Sequence, residues 1–112
     1  MKYKKIIKDL VYEALERDFY EALVMLDSNR EKNLTEILDQ IRAVCKITIV
    51  AVIGPAKPLS LYKEQAKLRI KFLRIKESLS EDLKEISQQA RKIDGVYSFR
   101  VLTVNKVEFR EN

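Results

Sequence analysis

The sequence predicts an α+β two-layer sandwich, helices packed on one face of a small sheet. Three observations carry that prediction. Apolar residues recur at helical spacing in three segments, β-branched or strictly alternating residues fill the stretches between and after them, and Gly and Pro are confined to the breaks. With 112 residues, 46% of them hydrophobic, a folded chain buries roughly two-thirds of the surface its unfolded form exposes, enough for one core. The expected order is helix, helix, strand, strand, helix, strand.

In the first segment Tyr3, Ile7, Val11, Leu15, Phe19, Ala22 and Leu26 recur every three or four positions, and Leu10, Ala14 and Leu23 widen the stripe. A long amphipathic helix over residues 1–28 is expected, about 26 residues and near 39 Å at ~1.5 Å per residue, and Asp27-Ser28-Asn29 breaks it. Asn33, with Glu36 three residues on, reads as an N-cap and capping box before Leu34, Ile37, Leu38, Ile41 and Val44. The period then changes to two. Residues 46–53 are rich in β-branched side chains and stop at Gly54-Pro55. Residues 54–65 hold both prolines and read as a loop, too long for a tight hairpin, whereas residues 67–72 alternate strictly with cations on one face. Ser78 followed by Glu81, or Ser80 alone, can cap the third helix, whose inner positions are Leu79, Leu83, Ile86, Ala90 and Ile93 and whose end is Asp94-Gly95. A last strand is expected from Val96 to about Val104, with a short hairpin strand through Val107 and Phe109.

Ile47, Ile49, Ala51, Ile53, Leu68, Ile70, Phe72, Tyr97, Phe99 and Val101 form the expected core face of the sheet, and the crossover rule sets the last strand parallel beside the first. Over residues 33–112 this arrangement resembles a ferredoxin-like domain lacking its first strand, an αββαβ core with the long N-terminal helix added. ACT domains and the cytoplasmic domains of cation-efflux transporters share it. The helix-to-strand junction Ala43-Val44-Cys45-Lys46 contains no Gly, so its turn must be made by another residue.

The chemistry-bearing residue types are sparse. There is no His and one Cys, which leaves no imidazole base or metal ligand, no intramolecular disulfide and no thiolate cluster; Cys45, ending an apolar stripe, reads as a buried inert thiol. Neither catalytic residues nor a cofactor or metal site is expected. No apolar run spans a membrane and no apolar h-region follows the basic N-terminus, so neither a membrane span nor a secretory signal peptide is expected.

Charge is unevenly placed. Residues 1–8 carry four Lys and no acid, residues 9–45 carry nine acids against four bases, and residues 46–76 carry eight bases against one acid. The face opposite the core collects Lys46, Thr48, Val50, Val52, Lys67, Arg69, Lys71, Ser98, Arg100, Leu102 and Val104. It can be a solvated face, a subunit interface or a phosphate platform. The run Met1-Lys2-Tyr3-Lys4-Lys5-Ile6-Ile7-Lys8 and its continuation to Leu15 is similar to the openings of small proteins of marine tailed bacteriophages. Residues 35–43 with Ile47-Thr48-Ile49-Val50, and residues 92–99, resemble small virion-associated proteins of that group. The resemblance implies a non-catalytic structural or assembly module of a phage particle, a homo- or hetero-oligomer binding neighbouring subunits. Leu59, Leu61 and Tyr62 on a proline-stiffened arm, with Val50, Val52 and Leu102, are the candidate partner-binding residues. The alternative is a nucleic-acid-binding accessory protein using Lys67, Arg69, Lys71 and Arg74 with Lys2, Lys4, Lys5 and Lys8.

Overall fold

A computed structural model describes residues 19–107. The elements are β1 (Phe19–Asn29), α1 (Leu34–Cys45), β2 (Thr48–Pro58), β3 (Lys63–Leu73), α2 (Leu79–Arg91) and β4 (Val96–Val107). They build one four-stranded sheet in the order β2-β3-β1-β4, each neighbouring pair antiparallel. Two split βαβ units interleave: β3 lies between β1 and β2, and β1 lies between β3 and β4.

This corrects the expectation of a ferredoxin-like αββαβ core with an added long N-terminal helix. Phe19–Asn29 is not the end of that helix but a central strand, paired along its whole length with β3; residues 1–18, with the rest of the expected helix, lie outside the described residues. Both periods fit residues 19–26 because the apolar run there is almost unbroken, as it is in strands hemmed in on both sides. Ala22, Val24, Leu26 and Ser28 are buried while the residues between them are half-buried, and that alternation is the period of a strand. Ala, Leu, Met and Glu favour helix locally, so pairing to two neighbours has overridden propensity.

Three further corrections follow from β1 being in the sheet. The segment expected as a loop is mostly strand: β2 reaches Pro58 and β3 begins at Lys63, leaving a four-residue hairpin tip. β4 lies beside β1, at the opposite edge from β2, and is not parallel to it. Val107 continues β4 and does not open a separate hairpin, while Phe109 lies outside the described residues.

Both helices cover the same face. Ile37, Leu38, Ile41 and Cys45 of α1, Ile86 and Ala90 of α2, and Ile93 just beyond it close over Ala22, Val24, Leu26, Leu68, Ile70, Phe72 and Phe99. Full burial of one such aliphatic side chain contributes about 1.5–3 kcal/mol. The expected caps form: the Asn33 side chain accepts from the Thr35 N–H at 2.9 Å and Ser78 Oγ from the Glu81 N–H at 3.4 Å. Lys46, with φ 54° and ψ 46°, makes the left-handed turn after α1 that Gly more often makes. Gly95 has φ 93°, and a Cβ there would lie 3.1 Å from Lys32 Cγ and 3.2 Å from Ile37 Cδ1.

Candidate functional site: the bare face of the sheet

The register places four rows of side chains on the face away from the helices. Running from β2 through β3 and β1 to β4, they are Gln65–Asp27–Ser98 from β3 onward, then Ile53–Lys67–Met25–Arg100, Ala51–Arg69–Leu23–Thr103 and Thr48–Lys71–Glu21–Asn105. Residues opposite one another in an antiparallel pair share a face, and no described helix packs on this one.

Two bulges reassign residues that strict alternation had sorted the other way. In β2 the register shifts between Ile49 and Ala51, so Ala51 and Ile53 leave the expected core face for the bare one. Val52 takes the helix side, opposite Leu68, yet stays exposed at the sheet's edge. In β4 the shift beside Val96 leaves Tyr97 unpaired and 45% exposed rather than in the core, with Lys63 Nζ 5.1 Å from its ring centroid. Val104, expected on the outer face, stands opposite Ala22 and packs against the core. A single inserted residue inverts every later position, and simple alternation in a sequence carries no mark of it.

The acids of the face are engaged. Asp27 accepts from Gln65 Nε2 at 2.9 Å and from Ser98 Oγ at 3.2 Å, and Glu21 Oε1 lies 2.9 Å from Arg69 Nε across the β1–β3 pair. Lys67, Lys71 and Arg100 form no ion pair among the described residues. The apolar side chains fall in two pairs, Leu23 and Met25 on β1 and Ala51 and Ile53 on the edge strand β2, with Lys67 and Arg69 of β3 between them.

The expected partner residues do not form one patch. Leu59, Leu61 and Tyr62 stand exposed at the hairpin tip; the Leu59 and Ser60 N–H groups donate to the Lys63 carbonyl, and Arg30 N–H donates to the Tyr62 carbonyl at 2.7 Å. The tip is thus tied to the turn after β1. Val50 and Val52 lie on the β2 edge, and Leu102, the extra residue of a β4 bulge, lies on the other. Of the expected phosphate contacts, Lys67, Arg69 and Lys71 share the bare face. Arg74 instead closes the β3–α2 loop, donating to the Lys76 and Glu77 carbonyls, and Lys2, Lys4, Lys5 and Lys8 lie outside the described residues.

A second concavity, about 260 Å³, opens between the end of α1 and the start of α2, lined by Cys45, Phe72, Ile75, Asp82, Ile86 and neighbours. Several of its polar groups are engaged. Burial pushes the Cys45 thiol up to about 11, and its Sγ lies 3.5 Å from the Ile86 carbonyl. The buried Asp82 carboxylate accepts from the Ile75 and Lys76 N–H groups at 3.1–3.2 Å. Lys76 Nζ is 2.6 Å from Glu85, whose hydrogen bond and charge raise the lysine above its usual value. Among the described residues no group of three or more His, Cys, Asp or Glu could hold a metal ion, and no helix is long and apolar enough to cross a membrane.

Fold and face together define a small α+β domain with a helix-covered sheet face and a bare, cationic-apolar one. No family model and no curated protein matches the chain.

Proposed function

We propose that the protein is a non-catalytic assembly module that docks a neighbouring protein subunit on the bare sheet face, its setting, following the resemblance above, a tailed-phage particle. One observation carries the docking: Leu23 and Met25 on the central strand β1, and Ala51 and Ile53 on the edge strand β2, put apolar side chains on either side of Lys67 and Arg69 on a face that no described element covers. Such a surface flanked by polar residues marks an interaction site. The nucleic-acid alternative gains the exposed Tyr97, with Lys63 Nζ 5.1 Å from its ring centroid, but it leaves the apolar Leu23 and Met25 without a use.

Site-specific photo-cross-linking in the producing cells tests this. A photoreactive residue at Met25 should give a discrete protein adduct that Leu23→Lys abolishes, and the same residue at Gln88, on the exposed side of α2, should give none. Adducts at position 25 that nuclease removes would replace this reading with the nucleic-acid one. That alternative also requires affinity that falls with salt at a slope of about −0.7 to −0.9 per phosphate neutralised.

A further inference from the structure

We infer that the segment seated on this face is acidic, an amphipathic stretch of a partner protein that sets carboxylates on either side of an apolar side chain. The inference rests on the docking reading and adds the chemistry of the partner. Lys67 and Arg100 flank Met25 in one row, and with strands about 4.8 Å apart their Cα atoms stand roughly 10 Å from one another across the methionine. Lys71 lies two rows along the same strand. Glu21 pairs with Arg69, and Asp27, held by the neutral donors Gln65 and Ser98, keeps its charge; against it stand Lys67, Lys71 and Arg100, so the described part of the face is net positive beside Leu23 and Met25.

Desolvation turns that arrangement into a requirement. Any segment that seals over Met25 and Leu23 strips water from Lys67 and Arg100, and a covered cation without an anionic partner opposes binding. A neutral segment is therefore disfavoured by the same contact that would hold it. A nucleic acid would satisfy the cations but would set no aliphatic side chain against Leu23 and Met25. Carboxylates spaced around a Leu or Met side chain meet both demands.

The test uses the full chain, a short synthetic peptide alternating Glu and Leu, the same peptide with Gln for Glu, and an oligothymidine. Binding is followed by amide shifts in NMR and by fluorescence anisotropy. The Glu peptide should shift the amides around Met25, Lys67 and Arg100, and the Gln peptide should bind about tenfold more weakly. Lys67→Gln and Arg100→Gln should each weaken the Glu peptide several-fold while Lys84→Gln on α2 leaves it unchanged. Equal binding of the two peptides would overturn the acidic partner and leave the docking reading standing. Tighter oligothymidine binding at the same amides would overturn both. Carbodiimide cross-links joining Lys67 or Lys71 to a carboxylate of residues 9–18 within one monomer would assign the face to the chain itself and overturn an external partner.

Discussion

The two faces of this one sheet use the same strands for opposite ends. On β1, Ala22, Val24, Leu26 and Ser28 are buried beneath two helices, whereas Glu21, Leu23, Met25 and Asp27 on the same eight residues stay half-buried. On β3, Ala66, Leu68, Ile70 and Phe72 are buried while Lys67, Arg69 and Lys71 face the other way. The covered face is apolar almost throughout, and its Tyr20 and Phe72 rings stack at 5.9 Å. The bare face alternates apolar residues with cations, of which Arg69 pairs with Glu21 while Lys67, Lys71 and Arg100 have no described counter-ion. Stability should therefore be concentrated on one face and recognition on the other, since burial sets the first and unsatisfied groups set the second.

Substitutions should separate the faces sharply. Leu68→Ala or Ile70→Ala, each at a fully buried position, should cost about 2–5 kcal/mol in urea unfolding, whereas Met25→Ala and Leu23→Ala should cost about 1 kcal/mol or less. Equal losses on the two faces would mean that the bare one is covered. On the helix side, Asp82→Ala removes the acceptor of two backbone N–H groups and should cost about 1–3 kcal/mol by the same measurement.

Ser28 sharpens the contrast in the other direction. Its hydroxyl is fully buried and has no hydrogen-bond partner, so Ser28→Ala should raise stability by about 0.5–1 kcal/mol; a loss would show that the hydroxyl is satisfied. At the hairpin tip, replacing Leu59, Leu61 and Tyr62 with Ser should change the unfolding midpoint little, because all three are at least half exposed. A loss of about 2 kcal/mol or more would mean that the tip folds back on its own sheet.

The smallest effect belongs to the exposed pair Lys32–Asp94, 2.9 Å apart. The lysine's hydrogen bond and charge hold the Asp94 carboxyl below its usual value, so the pair contributes most above the carboxyl's unfolded-state pKa, and that contribution fades as pH falls through the lower folded value. Solvent screening keeps it slight. In an NMR titration the Asp94 midpoint should lie below that of an unperturbed aspartate and return to it in Lys32→Met.

Local pattern was a sound guide where an element's period was unmixed. The Asn33 and Ser78 caps, the α1 stripe of Ile37, Leu38 and Ile41, the α2 stripe of Ile86 and Ala90, and the alternation of residues 67–72 all stand as the sequence implies, because capping and amphipathic burial are decided within a few residues. The burial of Cys45 was legible in the same way. The cations Lys67, Arg69 and Lys71 of the candidate site were equally so, since β3 has no bulge against β1.

The amino-acid sequence by itself determined one small core, two amphipathic helices with their caps, a cationic strand and the dearth of catalytic residue types. Tertiary structure decided the rest: that Phe19–Asn29 is a strand and not a helix, that β2 and β3 form a hairpin, and that Ala51, Ile53 and Tyr97 leave the core face. An unbroken apolar run satisfies both periods, and only hydrogen bonds to β3 and β4, supplied from more than forty residues away in the chain at several points, favour the extended form. Bulges likewise arise from how two strands meet, which neither strand's own sequence contains.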